Sequence, residues 1–158
     1  MSIIVDVSAD GARTPLASAR VKRVAAAVLR AEGVQDALVS IAFVSAREIA
    51  RLNQRHLGHA GPTDVISFAL GPGKERSTAH PVVGDIYIAP DVARTNAMHF
   101  GRGVREELAR LVVHGTLHVL GHDHPDGTER TTSPMWRRQE RLLSSAAIRR
   151  ALSGAHEP

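Results

Sequence analysis

The spacing of apolar positions divides the chain into segments of strand and helix character. Alternation marks strands at residues 3–7, at Val39, Ile41 and Phe43, at 63–70 through Ile66 and Phe68, and at 84–89 through Ile86 and Ile88. Residues 16–31 are rich in helix formers and stop at Glu32-Gly33. Ser45 followed by Glu48 is a capping box, predicting a helix that reaches about Leu57. Pro90 opens a short helix over 90–97, and residues 104–120 form a long amphipathic one. Ser133-Pro134 starts a last helix, with Pro at the position where its missing N–H costs nothing. Residues 71–81, with their Gly and Pro, read as a loop. Helices and strands mix without strict alternation. The expected class is α+β, or loosely α/β: a small, about four-stranded mixed sheet packed with helices. A chain of 158 residues without repeats or long linkers is sized for one domain, 1–158.

Composition narrows the chemistry. There is no Cys, which excludes disulfides, thiolate metal sites and thiol catalysis, and fits a reducing compartment. The start, Met-Ser-Ile-Ile-Val-Asp, carries neither a basic n-region nor a long apolar stretch, and no apolar run approaches the roughly 20 residues of a membrane span. A soluble cytoplasmic protein is expected. The net charge of +4 is modest, but Lys occurs only at Lys22 and Lys74, so the positive charge is nearly all Arg. Guanidinium groups suit phosphate and nucleic acid, and a GC-rich genome would give the same bias.

Four histidines fall in the stretch from His114 to His124: His114, His118, His122 and His124. His114 and His118 stand at i and i+4 on the long helix, so their rings leave one face a turn apart. On a straight helix His124 would lie roughly 15 Å from His114, too far for one ion. The chain must turn back, and Gly121 sits where a left-handed residue would end the helix. His114, His118 and His124 are therefore the expected ligands of one zinc ion at the end of a central helix. Three imidazoles without Cys match a catalytic site, with an open position where a bound water would have its pKa lowered to near 7. No side chain is an evident general base. His122 is placed to be a fourth ligand, but the turn points it elsewhere if His124 binds, so it reads as a residue lining the pocket or supporting the ligands. Asp123 either orients a ligand imidazole or caps the turn. The spacing also fits zinc proteases, except that Gly115 stands where they place a Glu. Gly73-Lys74 is followed by Glu75 and makes no phosphate loop.

The stretch HGTLHVLGHDH after Glu107 closely resembles the hallmark of the YbeY family of bacterial rRNA-maturation endoribonucleases. The resemblance extends to Met135 and Glu140, and upstream to Leu52-Asn53, to Pro62–Phe68 and to Gly84-Asp85-Ile86, covering about residues 50–143 in matching order. It implies a single α+β domain, one zinc on the three histidines, and metal-dependent, single-strand-specific cleavage of RNA. The implied role is 3′-end maturation of small-subunit rRNA and ribosome quality control, with the small ribosomal subunit, ribosomal proteins and assembly factors as partners and no membrane. His122 stands where many relatives have Tyr. Leu57 stands where many have an Arg thought to face the cleft; Arg55 is near, but two helical positions are about 200° apart.

Two other functions compete with the nuclease reading. A zinc peptidase or other metallohydrolase is supported by the spacing and opposed by Gly115. A ribosome-assembly factor with structural zinc is the other. The few aromatics, Phe43, Phe68, Phe100, Tyr87 and Trp136, imply RNA binding by charge and shape rather than stacking. Whether a water or the RNA 2′-OH attacks is left open by sequence.

Overall fold

The computed structural model describes residues 2–9, 12–71 and 80–154. β1 (Ile3–Ser8), β2 (Ala37–Phe43), β3 (Val65–Ala69) and β4 (Val82–Ile88) form one mixed sheet in the order β1-β2-β4-β3. β1, β2 and β4 run parallel, and β3 pairs antiparallel with β4. The period-two alternation sets the faces. Val39, Ile41 and Phe43 of β2 are buried and lie beside Gly84, Ile86 and Ile88 of β4.

Six helices follow the expected pattern with two changes: α1 (Ser18–Ala31), α2 (Ala46–Leu52), α3 (Pro90–Phe100), α4 (Val104–Val119), α5 (Pro134–Leu143) and α6 (Ala146–Leu152). Val21, Val24, Val28 and Leu29 of α1 join Leu108, Val112, Val113 and Leu117 of α4 in the main core. Burying each such side chain stabilises the fold by about 1.5–3 kcal/mol. α4 is buried almost all round, packed among α1, α3, α5, β3 and β4, as a central helix must be. A smaller cluster holds Ile49 of α2 against Ile66 and Ala89, with Phe68 and Tyr87 beside it.

The first change is at residue 53. The helix opened by Ser45, whose Oγ accepts from the Glu48 N–H at 3.1 Å, ends at Leu52. A π turn, Asn53–Leu57, follows and closes at Gly58 (φ 67°). Buried Asn53 explains it. Its side-chain amide donates to the Gly61 carbonyl at 3.0 Å, and its own carbonyl accepts from the His59 N–H at 3.3 Å. The chain is thereby tied to the loop ahead instead of to another α turn. The 100° step that set Arg55 against Leu57 does not apply in this widened turn. Leu57 is half exposed and Arg55 exposed. The second change is that the last helix is two, because Ser145 starts α6 by accepting from the Ile148 N–H at 3.4 Å. Of the expected loop over 71–81, residues 72–79, with Gly73-Lys74, lie outside the described residues.

Two glycines let α4 settle on the β3–β4 pair. A Cβ at Gly84 would overlap both methyls of Val119, Cγ2 at 2.7 Å, and one at Gly115 would meet Ile86 Cγ2 at 2.8 Å and Ser67 Oγ at 3.1 Å. Ser67 Oγ donates to the Gly115 carbonyl at 3.2 Å, bonding helix to sheet at this close approach. Gly84 and Gly115 therefore have a packing role, one that identifies why the Gly-Asp-Ile segment and the His-Gly pair read as they do.

Candidate metal centre

The end of α4 folds back as the Gly121 break requires. Gly121 takes φ 94°, its N–H donates to the His118 carbonyl at 2.9 Å, and the His122 N–H reaches the Leu117 carbonyl at 3.0 Å. These two bonds form a Schellman close, which satisfies carbonyls the helix end would leave unpaired. The chain then runs back past the last turn, and His124 comes to lie against His114 and His118. Ring centroids are 4.6 Å (His114–His118), 5.1 Å (His114–His124) and 4.9 Å (His118–His124) apart.

The tautomers follow from the hydrogen bonds. Nδ1 of His114 lies 2.6 Å from Gln139 Oε1, Nδ1 of His118 is 3.0 Å from the His122 carbonyl, and Nδ1 of His124 is 3.0 Å from the Pro125 carbonyl. All three partners are oxygens that only accept, so each Nδ1 carries the proton and each Nε2 keeps its lone pair. The orientation of the Gln139 amide is set in turn, because its NH2 donates to Glu140 Oε2 at 3.1 Å. One ligand atom from each of the three residues lies within 4.8 Å of the others, close enough to be drawn around one ion. The donor set fits a metal: three neutral imidazoles, each with its second nitrogen engaged by an oxygen.

Burial favours the neutral form of His114 and His118. His114 is 4% exposed, and burial is the main cause that brings its pKa down to about 3, against the opposing Gln139 bond. His118 is also lowered, first by burial and then by the neighbouring His124. Protons therefore compete poorly with a metal at His114. Beyond Gln139 the polar chain continues. Glu140 accepts from Arg110 Nε at 3.0 Å, and Arg110 also pairs with Glu107 at 3.2 Å and Glu106 at 3.4 Å. Burial alone would raise the Glu140 pKa, but the hydrogen bonds from Arg110 and Gln139 outweigh it and hold the carboxyl low.

His114, His118 and His124 are brought together as their spacing predicts. The ring of His122 turns away to Glu32, 3.5 Å from its carboxylate, and its backbone carbonyl meets His118 Nδ1. Asp123 caps the turn, accepting from the His124 N–H at 2.8 Å. Gln139 was missed by sequence reasoning. Its signal was a polar residue in the apolar stripe Met135, Gln139, Leu142 of α5, where it is 1% exposed. Gly115 faces Ser67 and Ile86, so the place where a peptidase carries its Glu is filled by the sheet.

Comparisons with known proteins point to one family. The family model described as Endoribonuclease YbeY matches residues 8–147. The chain is 37% identical over 159 residues to Endoribonuclease YbeY of Bacillus licheniformis, covering 96% of this chain and 99% of that one. To the Bacillus subtilis protein of the same name it is 40% identical over 127 residues, covering 76% and 80%. The solution structure of TM1509 from Thermotoga maritima superposes with a TM-score of 0.60 at 25% identity, covering 98% of each chain.

Proposed function

The chain belongs to the YbeY endoribonuclease family, and from that premise we propose that it is a zinc-dependent endoribonuclease of rRNA processing, cutting single-stranded RNA at the His114–His118–His124 centre. The observation that carries the reading is the convergence of three imidazoles whose Nδ1 protons are all committed to oxygens. Imidazole ligands suit zinc among the transition metals, and three protein ligands leave a position for substrate. When bound there, the ion supplies Lewis acidity to a phosphoryl oxygen and acidifies water. The chain's own residues do the rest. His114, His118 and His124 hold the ion, Gln139 fixes the His114 ring, and the Gly121 turn sets the third ligand against the first two.

The peptidase alternative is disfavoured because Gly115 abuts the sheet and leaves no room for the missing Glu. The proposed substrate site in the cell is the 3′ end of small-subunit rRNA, with ribosomal proteins and assembly factors as partners and the cytoplasm as location. No described helix is long and apolar enough to cross a membrane. The test is cleavage of single-stranded rRNA fragments by zinc-loaded protein, by chelated protein and by a His114→Ala variant. Cleavage by the first alone supports the reading. Equal cleavage by all three, or chelator-sensitive casein hydrolysis by the loaded protein, overturns it.

A further inference from the structure

Charge is unevenly divided between the helical side of the molecule and the open face of its sheet. α1 carries Arg20, Lys22, Arg23 and Arg30, α6 carries Arg149 and Arg150, and neither helix contains an Asp or Glu. Packing makes the two helices one surface. Arg23 Nε donates to the Ala151 carbonyl at 3.3 Å, and the guanidinium of Arg20 lies against Gly154, where an added Cβ would meet its Cζ at 3.1 Å. Arg20, Arg23 and Arg30 fall within about 80° of one another around α1, away from buried Val21, Ala25 and Val28, and their helical rise spreads them over about 15 Å. Lys22, Arg30, Arg149 and Arg150 are exposed and form no ion pair among the described residues. Glu32, which follows α1, is engaged by Arg138 at 3.1 Å.

The open face of the sheet has the other sign. Asp6, Ser40 and Asp85 stand side by side across β1, β2 and β4, opposite the face whose Val5, Val7 and Val39 enter the core. A polyanion is drawn to the helices and turned from the sheet. What the helices lack narrows its kind. None of the large exposed apolar side chains, Ile4, Leu38, Leu57, Leu70, Met98 and Phe100, lies on α1 or α6, and a helix that settles into a lipid surface needs them. Neither helix has an aromatic side chain, so unpaired bases would find no platform to stack on. Duplex RNA keeps its own bases stacked and is recognised by shape and phosphates. Five of the six cations are Arg, whose guanidinium meets phosphate oxygens bidentately. Like charges on two touching helices repel one another, and a bound row of phosphates turns that repulsion into attraction.

We propose that the α1–α6 face is a second RNA-binding surface, which grips the phosphate backbone of a duplex segment while the histidine centre acts on single-stranded RNA. The choice of RNA as the polyanion rests on the ribonuclease reading.

The experiment compares wild type with Arg30→Gln/Arg149→Gln and with Arg94→Gln/Arg105→Gln, a control that loses the same charge from exposed positions on α3 and α4. All three should melt within a few degrees of one another, since exposed helical substitutions cost little. The probe is a blunt RNA duplex of about 20 base pairs, titrated at several salt concentrations with zinc-loaded and with chelated protein. Wild type should bind in both forms, because the face lies outside the histidine centre. Arg30→Gln/Arg149→Gln should bind more than tenfold more weakly at about 0.1 M salt, with a salt slope flatter by about 1.8, two phosphate contacts. The control pair should keep the wild-type slope. Equal slopes in the two variants overturn the proposal, as does a wild type that does not bind the duplex. Phosphatidylserine vesicles bound through these arginines, or self-association lost in Arg30→Gln/Arg149→Gln, each without duplex binding, would assign the face to a membrane or to a second copy and also overturn it. If the duplex is held through Arg30 and Arg149 but no RNA is cut, the ribonuclease reading fails and the face stands. Cutting of single-stranded RNA without duplex binding leaves the nuclease and removes the face.

Discussion

Helix α4 carries two polar clusters that differ in how completely they are satisfied. Toward its N-terminal half, Arg110 is enclosed by Glu106, Glu107 and Glu140, and Glu107 is met again by Arg102 at 3.4 Å. At its C-terminal end, His114, His118 and His124 have every Nδ1 engaged and leave three acceptor nitrogens facing one another. The first cluster closes on itself, with two guanidinium groups paired among three carboxylates. The second is complete only on its outer side. Gln139 and Glu140 are adjacent residues that join the two, so the closed cluster braces the open one. A buried network that is fully paired serves the fold, whereas one that converges on unshared lone pairs is arranged for something the chain itself does not provide.

The largest expected effect breaks the open cluster. His124→Ala should lower zinc affinity beyond the roughly 100-fold that loss of a supporting hydrogen bond causes, while the metal-free protein melts almost unchanged, because His124 is only half-buried. Zinc titration with a competing chelator, alongside melting of both metal-free proteins, checks this. Breaking the closed cluster should do the reverse. Arg110→Met leaves the buried carboxylate of Glu107 short of its nearest partner and should cost about 3–5 kcal/mol in urea unfolding, with one zinc still bound per folded chain. A stability loss under 1 kcal/mol would mean the pairing is dispensable.

Acid separates the clusters again. In metal-free protein His114 titrates near 3 when folded, against about 6.5 when unfolded. Between those values the unfolded chain binds more protons, so stability rises with pH there and falls as pH drops from 6.5 toward 3. A loss of a few kcal/mol over that window is expected from urea midpoints, and His114→Ala should flatten it. Glu140, held low by Arg110 and Gln139, contributes stability that is present above its unfolded value near 4.5 and is lost as pH falls through its lower folded value.

The bridge between the clusters can be cut with a smaller effect. Gln139→Leu preserves the bulk but removes the acceptor from His114, and should weaken zinc binding about 10–100-fold, roughly 1.4–2.7 kcal/mol. Nitrogen chemical shifts of His114 in the metal-free variant should show loss of the single Nδ1–H tautomer. A merely structural role for Gln139 would leave that tautomer in place. The smallest effect belongs to the surface. Leu57 is 50% exposed in the π turn, so Leu57→Arg should change stability by less than about 0.5 kcal/mol. Its salt slope on single-stranded RNA should steepen by about 0.7 if the turn faces the substrate, and an unchanged slope would place Leu57 outside the RNA path.

What the sequence determined by itself is what neighbouring residues decide among themselves. The i and i+4 spacing of His114 and His118, the left-handed break at Gly121 and the Ser45 and Ser133 caps each act within a turn or two, and each appears where it was read. Strand alternation likewise set which faces of β2 and β4 turn inward. Tertiary structure alone decided the partners. Gln139 was legible as a polar residue in an apolar stripe, but its acceptor role exists only because α5 packs on α4 at the level of His114. Asn53 turned an expected α turn into a π turn through a bond to Gly61, eight residues on, which no helical period encodes. Glycines 84 and 115 mark a close approach between α4 and the sheet, whose distance is set by the side chains buried on both sides. Local bonds follow from local sequence, whereas the pairing of distant polar groups follows from how buried surfaces fit.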